Sequence, residues 1–303
     1  MTIISRRYRF IIISVVSLFG AVYFGLSAYM AMTLTRTERK EITITPERLG
    51  LIYEDISFLS DGDSILLKGW FIPASGSNRI IIMVHGRAYH RANPEIGLLD
   101  IAASLNKNGF NILMFDMRGW GESDGKRFSL GYLEQRDVKG AINYAKSRGF
   151  SADRIGMIGW SMGAASAMLA ADNTHGVKAV VEDSGYAALK ELLKAQVPQK
   201  SGLPAFFTFG IVNMVRLMYG ADLYSLRPAE AAAAMKNSRI FVIHGESDSL
   251  VPVEHARRIF AAKNGEEGNE VWLVPGVDHA KAYKSFPQEY IHRITAFFDR
   301  ELR

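Results

Sequence analysis

The sequence predicts an α/β fold: a mostly parallel sheet with crossover helices, preceded by one helix long enough to span a membrane. Three observations carry this reading. From about residue 51 onward, short β-branched runs alternate with helical periods, the pattern of strand–helix–strand units. One connection, 184–236, runs to roughly fifty residues, far beyond an ordinary crossover, and marks an insertion. Finally, no residue from Phe10 to Thr35 is charged, and a helix over that run is long enough to cross a bilayer.

Taken in order, residues 1–9 form a basic tail, 10–35 the apolar span, 36–50 a polar stalk, and 51–303 the α/β domain with the insertion at 184–236. The span is longer than the apolar region of a cleaved signal peptide. Its end, Ala28-Tyr29-Met30-Ala31, puts large residues where a cleavage site needs small ones, which favours a retained anchor. Arg6, Arg7 and Arg9 before the span nearly balance Arg36, Arg39 and Lys40 after it. The α-amino group and Glu38 tip the count toward a cytoplasmic N-terminus and an extracytoplasmic domain.

The basic excess belongs to this segment. Of 36 basic and 31 acidic residues, six basic and one acidic lie in the first forty, leaving thirty of each elsewhere. The net charge of +5 therefore gives no case for nucleic-acid binding. The absence of cysteine removes thiolate nucleophiles, thiolate metal sites and disulfides.

Strands are expected at 54–59, 65–72, 80–84, 111–115, 155–159, 177–182, 239–244 and 270–274. The first two, joined through Asp61-Gly62-Asp63, read as an edge hairpin. Helices are expected near 94–108, 131–147, 161–172, 253–263 and 287–302.

Gly159-Trp160-Ser161-Met162-Gly163 follows an apolar strand and opens a helix of small residues. The glycines permit a sharp strand-to-helix turn that presents the Ser161 hydroxyl, with helix N-terminal amides facing a developing anion. A serine hydroxyl needs a base, and the base an orienting acid. In this architecture they follow the serine in the order acid, then histidine, each after a strand end. Asp248, in His244-Gly245-Glu246-Ser247-Asp248, and His279, in Pro275-Gly276-Val277-Asp278-His279, have that placement. Asp183 also follows a strand and is the competing acid. Asp278, as the chain neighbour of His279, is badly placed to reach its ring. His255 and His292 lie on expected helices, His244 ends a strand and supports a turn, and His90 and His175 have no chemical context. For an oxyanion, the backbone amides of Met162 and of Arg87, in the His85-Gly86-Arg87 loop, are the expected donors. The Arg87 side chain either binds an anionic group or points into solvent.

The motifs at 85–87, 116–123 (Asp-Met-Arg-Gly-Trp-Gly-Glu-Ser), 159–163, 244–252 and 276–279 together resemble the α/β-hydrolase superfamily. The resemblance is greatest to membrane-anchored bacterial relatives of the ABHD12, ABHD13 and ABHD17 type. It covers about Glu54 to the C-terminus. It implies the α/β-hydrolase fold with a lid insertion, and ester, thioester or amide hydrolysis with no metal or organic cofactor. It also implies that Asp116–Ser123 is a structural loop near the site.

The expected activity is therefore that of a membrane-anchored serine hydrolase acting on a small acyl or lipid-like substrate through Ser161, Asp248 and His279. A peptidase or amidase is the alternative, and a catalytically silent membrane-bound binding module a third reading. In the insertion, residues 203–221 are almost wholly apolar. They are expected either to pack the lid onto the sheet or to line an acyl pocket.

Overall fold

The computed structural model describes residues 6–171, 176–263 and 266–303. Asp172, which ends the helix expected at 161–172, lies outside them, as do His175 and the first five residues of the basic tail.

Two compact units are present. One comprises the described residues up to Arg36 together with Lys190–Ser225; the other comprises Thr37–Leu189 and Leu226–Arg303.

The larger unit is built on eight strands: β1 (Glu54–Leu59), β2 (Leu66–Ile72), β3 (Ile80–Val84), β4 (Asn111–Phe115), β5 (Ile155–Trp160), β6 (Ala179–Asp183), β7 (Arg239–Gly245) and β8 (Glu270–Val274). Their order is β1-β2-β4-β3-β5-β6-β7-β8. Only β1/β2 and β2/β4 pair antiparallel; every other neighbour is parallel. The expected edge hairpin is thus present, and the fold is that of an α/β hydrolase. Central strands β3 to β6 are buried along their whole length, as a sheet covered on both faces requires.

The covering helices are α2 (Leu98–Lys107), α3 (Glu134–Ser147), α4 (Met162–Ala170), α7 (Pro228–Ala234), α8 (Glu254–Ala262), the single turn α9 (Ala282–Ser285) and α10 (Pro287–Glu301). One core joins Val138, Ala141, Met168, Ala232 and Ile259 of α3, α4, α7 and α8 to one sheet face. The other joins Leu99, Ile101, Ile294, Phe297 and Phe298 of α2 and α10 to the opposite face. Two helices start later than their apolar periods suggest. Asn93 folds back to accept from the Glu95 amide, and Gly97 at φ 86° opens α2. Glu134 turns its carboxylate onto the amides of Ser129 and Gly131, so α3 begins there.

The segment expected as a stalk is packed within this unit. Arg39 donates to the carbonyls of Gly121, Ser123 and Gly125, Lys40 sits over the Tyr89 ring, and Ile42 and Ile44 rest on the core. Alternating isoleucines inside a polar stretch were the sequence's sign of that contact.

The smaller unit contains α1 (Arg6–Leu34), all but the first residue of α5 (Leu189–Ser201), and α6 (Phe207–Tyr219). Of the expected insertion, 184–189 and 226–236 belong instead with the sheet. α6 lies on α1: the rings of Phe206 and Phe207 stand 5.7 and 4.9 Å from that of Tyr23. A side chain at Gly210 would collide with Ser27 and Tyr23. Part of the apolar stretch at 203–221 therefore has α1 as its partner, a pairing not among the two expected from its composition.

Candidate active site

Strand β5 delivers Trp160 and Ser161 to a turn at its carboxyl end, and α4 starts at the next residue. Ser161 adopts φ 55°, ψ −120°, a conformation that side-chain-bearing residues seldom occupy and that costs about 1–3 kcal/mol. The turn closes only because its flanks lack side chains. A Cβ on Gly159 would sit 2.6 Å from the Gly163 carbonyl oxygen, and one on Gly163 would sit 2.3 Å from the carbonyl oxygens of Val84 and His85.

Three side chains meet at this turn. His279 Nε2 lies 2.8 Å from Ser161 Oγ, and its Nδ1 lies 2.7 Å from Asp248 Oδ2. The serine is at the end of β5, the acid in the loop after β7 and the histidine in the loop after β8, so parallel neighbours bring together residues far apart in the chain. The amides of Leu250 and Val251 donate to the other oxygen, Asp248 Oδ1, at 2.9 and 2.8 Å. Burial pushes the Asp248 carboxyl up, but the hydrogen bonds from His244 and His279 outweigh it and hold the group well below the usual carboxylate range. The group facing His279 is an anion.

His244 does more than support a turn. Its Nε2 donates to the Val251 carbonyl at 2.8 Å and lies 3.2 Å from Asp248 Oδ2. Burial lowers the affinity of this ring for a proton, yet the Asp248 hydrogen bond and the Glu182 and Asp248 charges prevail, and it is held at about 8. The sequence signal was available: His244 and Asp248 stand four apart across one tight turn. In that turn Gly245 is pressed against the Val277 carbonyl, 2.2 Å from where a Cβ would be.

Asp183 is engaged elsewhere. Its Oδ1 accepts from the Ser184 hydroxyl at 2.8 Å and its Oδ2 from the Tyr290 hydroxyl at 2.9 Å. Tyr290 in turn accepts from Trp160 Nε1, Ser184 Oγ accepts from the Ala280 amide, and the Asp183 carbonyl accepts from the Ser161 amide. Asp183 thus ties the serine turn to the histidine loop; burial raises its carboxyl to about 6. Asp278 accepts instead from the amide and hydroxyl of Ser249, joining the acid and histidine loops.

Met162 is the first residue of α4, so its amide is among those a helix leaves without an internal partner. Gly86 runs against the turn, with its Cβ position 3.1 Å from the Trp160 carbonyl and 3.5 Å from Ser161 Cβ, which brings the Arg87 loop beside the serine. The Arg87 guanidinium lies over the Phe128 ring at 5.6 Å. His85 fixes this loop from beneath: Nε2 accepts from the Met117 amide at 2.9 Å, so Nδ1 donates to the Gly86 carbonyl at 2.7 Å. Burial lowers the His85 ring to about 4, keeping it neutral in this role. The Asp116 loop is structural: its buried carboxylate pairs with Arg91 and accepts from the Glu122 amide at 3.0 Å. Among the described residues, no group of three or more His, Asp or Glu side chains is arranged to hold a metal ion.

A family model described as serine aminopeptidase, S33 (Hydrolase_4) matches residues 76–201. Human ABHD12B is 27% identical over 69% of this chain and 58% of its own. A Pyrococcus furiosus esterase, Pf2001, superposes with a TM-score of 0.74 at 26% identity, covering 89% of this chain and 98% of the esterase. The chain belongs to the α/β-hydrolase superfamily. Further relatives include the uncharacterized YfhR of Escherichia coli O157:H7, 26% identical over 76% of this chain and 74% of its own. As an esterase-like member of the superfamily, this protein is a hydrolase.

Proposed function

We propose that this α/β hydrolase is a membrane-anchored serine hydrolase of carboxylic esters, thioesters or lysolipids, with Ser161 as nucleophile, His279 as general base and Asp248 as orienting acid. The observation that carries the reading is the unbroken chain of two short contacts, serine to imidazole and imidazole to ionised carboxylate. As Ser161 Oγ bonds to the acyl carbon, its proton passes to His279 Nε2 and the carbonyl electron pair moves onto oxygen, facing the Met162 and Arg87 amides. Collapse breaks the bond to the leaving alcohol or thiol, which takes the proton from Nε2 and leaves an acyl-serine. Water then attacks with the same proton transfers and releases the acid. Asp248 holds the imidazole in the tautomer that keeps Nε2 free and stabilises the imidazolium.

Esterase neighbours such as Pf2001 support esters as the substrate class, and α1 is long and apolar enough to serve as the anchor. The family model's description favours a second reading, a peptidase, since the same three groups cleave amides. A fluorophosphonate probe tests the nucleophile: the wild type is expected to label and Ser161→Ala not. Labelling of Ser161→Ala at the wild-type rate would overturn the assignment. Hydrolysis of a panel of acyl esters and peptide amides then separates the two readings.

A further inference from the structure

α6 has two faces. Phe207, Ile211 and Val215 are buried, whereas Phe206, Phe209 and Leu217 form a stripe at helical spacing that is 61, 65 and 76% exposed. Large apolar side chains left outward on a short helix call for an occupant, and the unit that α6 shares with α1 says which.

Any stretch of about 20 residues that crosses a hydrocarbon core within the uncharged run Phe10–Thr35 includes Tyr23 and Ser27. These are the residues on which α6 rests. Phe206 and Phe207 stack near Tyr23, and Gly210 approaches both Tyr23 and Ser27, so α6 runs in the same direction as α1, with its N-terminal end the deeper. If α1 spans the bilayer, the start of α6 lies at hydrocarbon depth.

The local chemistry fits that depth. Hydrocarbon demands that backbone polar groups find partners within the protein. In the turn entering α6, Pro204 has no amide hydrogen, and the Phe207 and Thr208 amides donate to the carbonyls of Pro204 and Ala205. The Tyr23 hydroxyl donates to the Phe206 carbonyl at 3.1 Å. The single charge within α6, Arg216, is three residues from the shallow end and pairs with Asp222 at 3.5 Å. Lys200, exposed just before the turn, limits the insertion to a depth from which its long side chain still reaches the headgroups.

We infer that α6 is a second membrane-embedded element: a re-entrant helix whose Phe206, Phe209 and Leu217 face the acyl chains of the leaflet on the α/β-domain side, docked on α1. At 13 residues it is too short to span. The inference rests on α1 being the membrane anchor.

Because the chain has no cysteine, single labels report cleanly. The full chain carrying Phe19→Cys, Phe209→Cys, Leu217→Cys or Lys107→Cys is labelled with an environment-sensitive fluorophore and reconstituted into phosphatidylcholine vesicles. All four sites are exposed, and fluorophosphonate reactivity checks that each variant is folded. Labels at positions 19, 209 and 217 are expected to shift to the blue and to be quenched severalfold by acyl-brominated lipid. At 209, quenching should be stronger from bromines near the headgroup end of the chain. The label at 107 is expected to respond to aqueous iodide alone. If position 19 is lipid-quenched while 209 and 217 behave like 107, the re-entrant helix is refuted and the anchor stands. If position 19 itself is quenched only by iodide, the anchor reading fails and takes the inference with it.

Discussion

At the scale of single residues, the two buried aspartates at strand ends make opposite predictions. Asp248 faces His279 and is ionised, whereas both oxygens of Asp183 are taken by Ser184 and Tyr290. Asp248→Asn should therefore lower turnover by orders of magnitude, because the amide favours the wrong imidazole tautomer. Asp183→Asn should lower the unfolding midpoint more than it lowers turnover. Parallel rate and melting measurements check this, and the reverse ranking would move the acid to Asp183. His244 adds a pH-dependent prediction. Its ring is held at about 8, above the ordinary value of ~6.5. Its contribution to stability is thus full below ~6.5 and is lost as pH rises through about 8, an effect of roughly 2 kcal/mol. Burial raises Glu182, on the neighbouring strand, to about 7, and its titration falls largely below that window. Between pH 7 and 9 the wild-type melting midpoint should fall, and His244→Gln should flatten that fall. An unchanged slope in the variant would show that the ring does not titrate there.

At the scale of elements, the serine turn depends on close approach more than on propensity. Gly163→Ala would drive a methyl group into two backbone carbonyls that belong to β3 and its loop, which cannot yield as a flexible side chain would. A cost of at least about 1–3 kcal/mol is expected, with a matching drop in the melting midpoint and loss of activity. Gly76→Ala, at φ 71° with open space around it, should cost only the backbone strain of about 1–2 kcal/mol and leave turnover intact. Differential scanning fluorimetry and ester turnover on both variants test the distinction. The same contact explains why a Gly-x-Ser-x-Gly pattern was informative: its glycines are the points where two backbones touch.

At the scale of the whole molecule, the proposed anchor makes a prediction about sidedness. If α1 is the anchor, the charge count on either side of the apolar run predicts a cytoplasmic N-terminus and an extracytoplasmic α/β domain. Protease added to intact cells should therefore degrade the domain, and protection until lysis would reverse the orientation. Cleavage at Arg39 itself should be slow, because its guanidinium holds three carbonyls of the Gly121–Gly125 loop. Mapping the first cut by mass spectrometry tests that.

Local chemistry was enough to read the strands, the hairpin, the glycine-flanked serine turn, the uncharged run and the placement of Asp248 and His279 in loops after strand ends. Each depends on residues within one period or one turn of each other, so each leaves its mark in a short stretch of sequence. Tertiary structure alone decided which carboxylate meets His279, since Asp183 and Asp248 both follow buried strands and differ only in their partners, some of them a hundred residues away. It also decided that His244 touches the acid, that the supposed stalk is pinned by Arg39, and that α6 rests on α1. Apolar spacing says that a face will be covered, but the covering surface lies elsewhere in the chain, and only the folded backbone brings the two together.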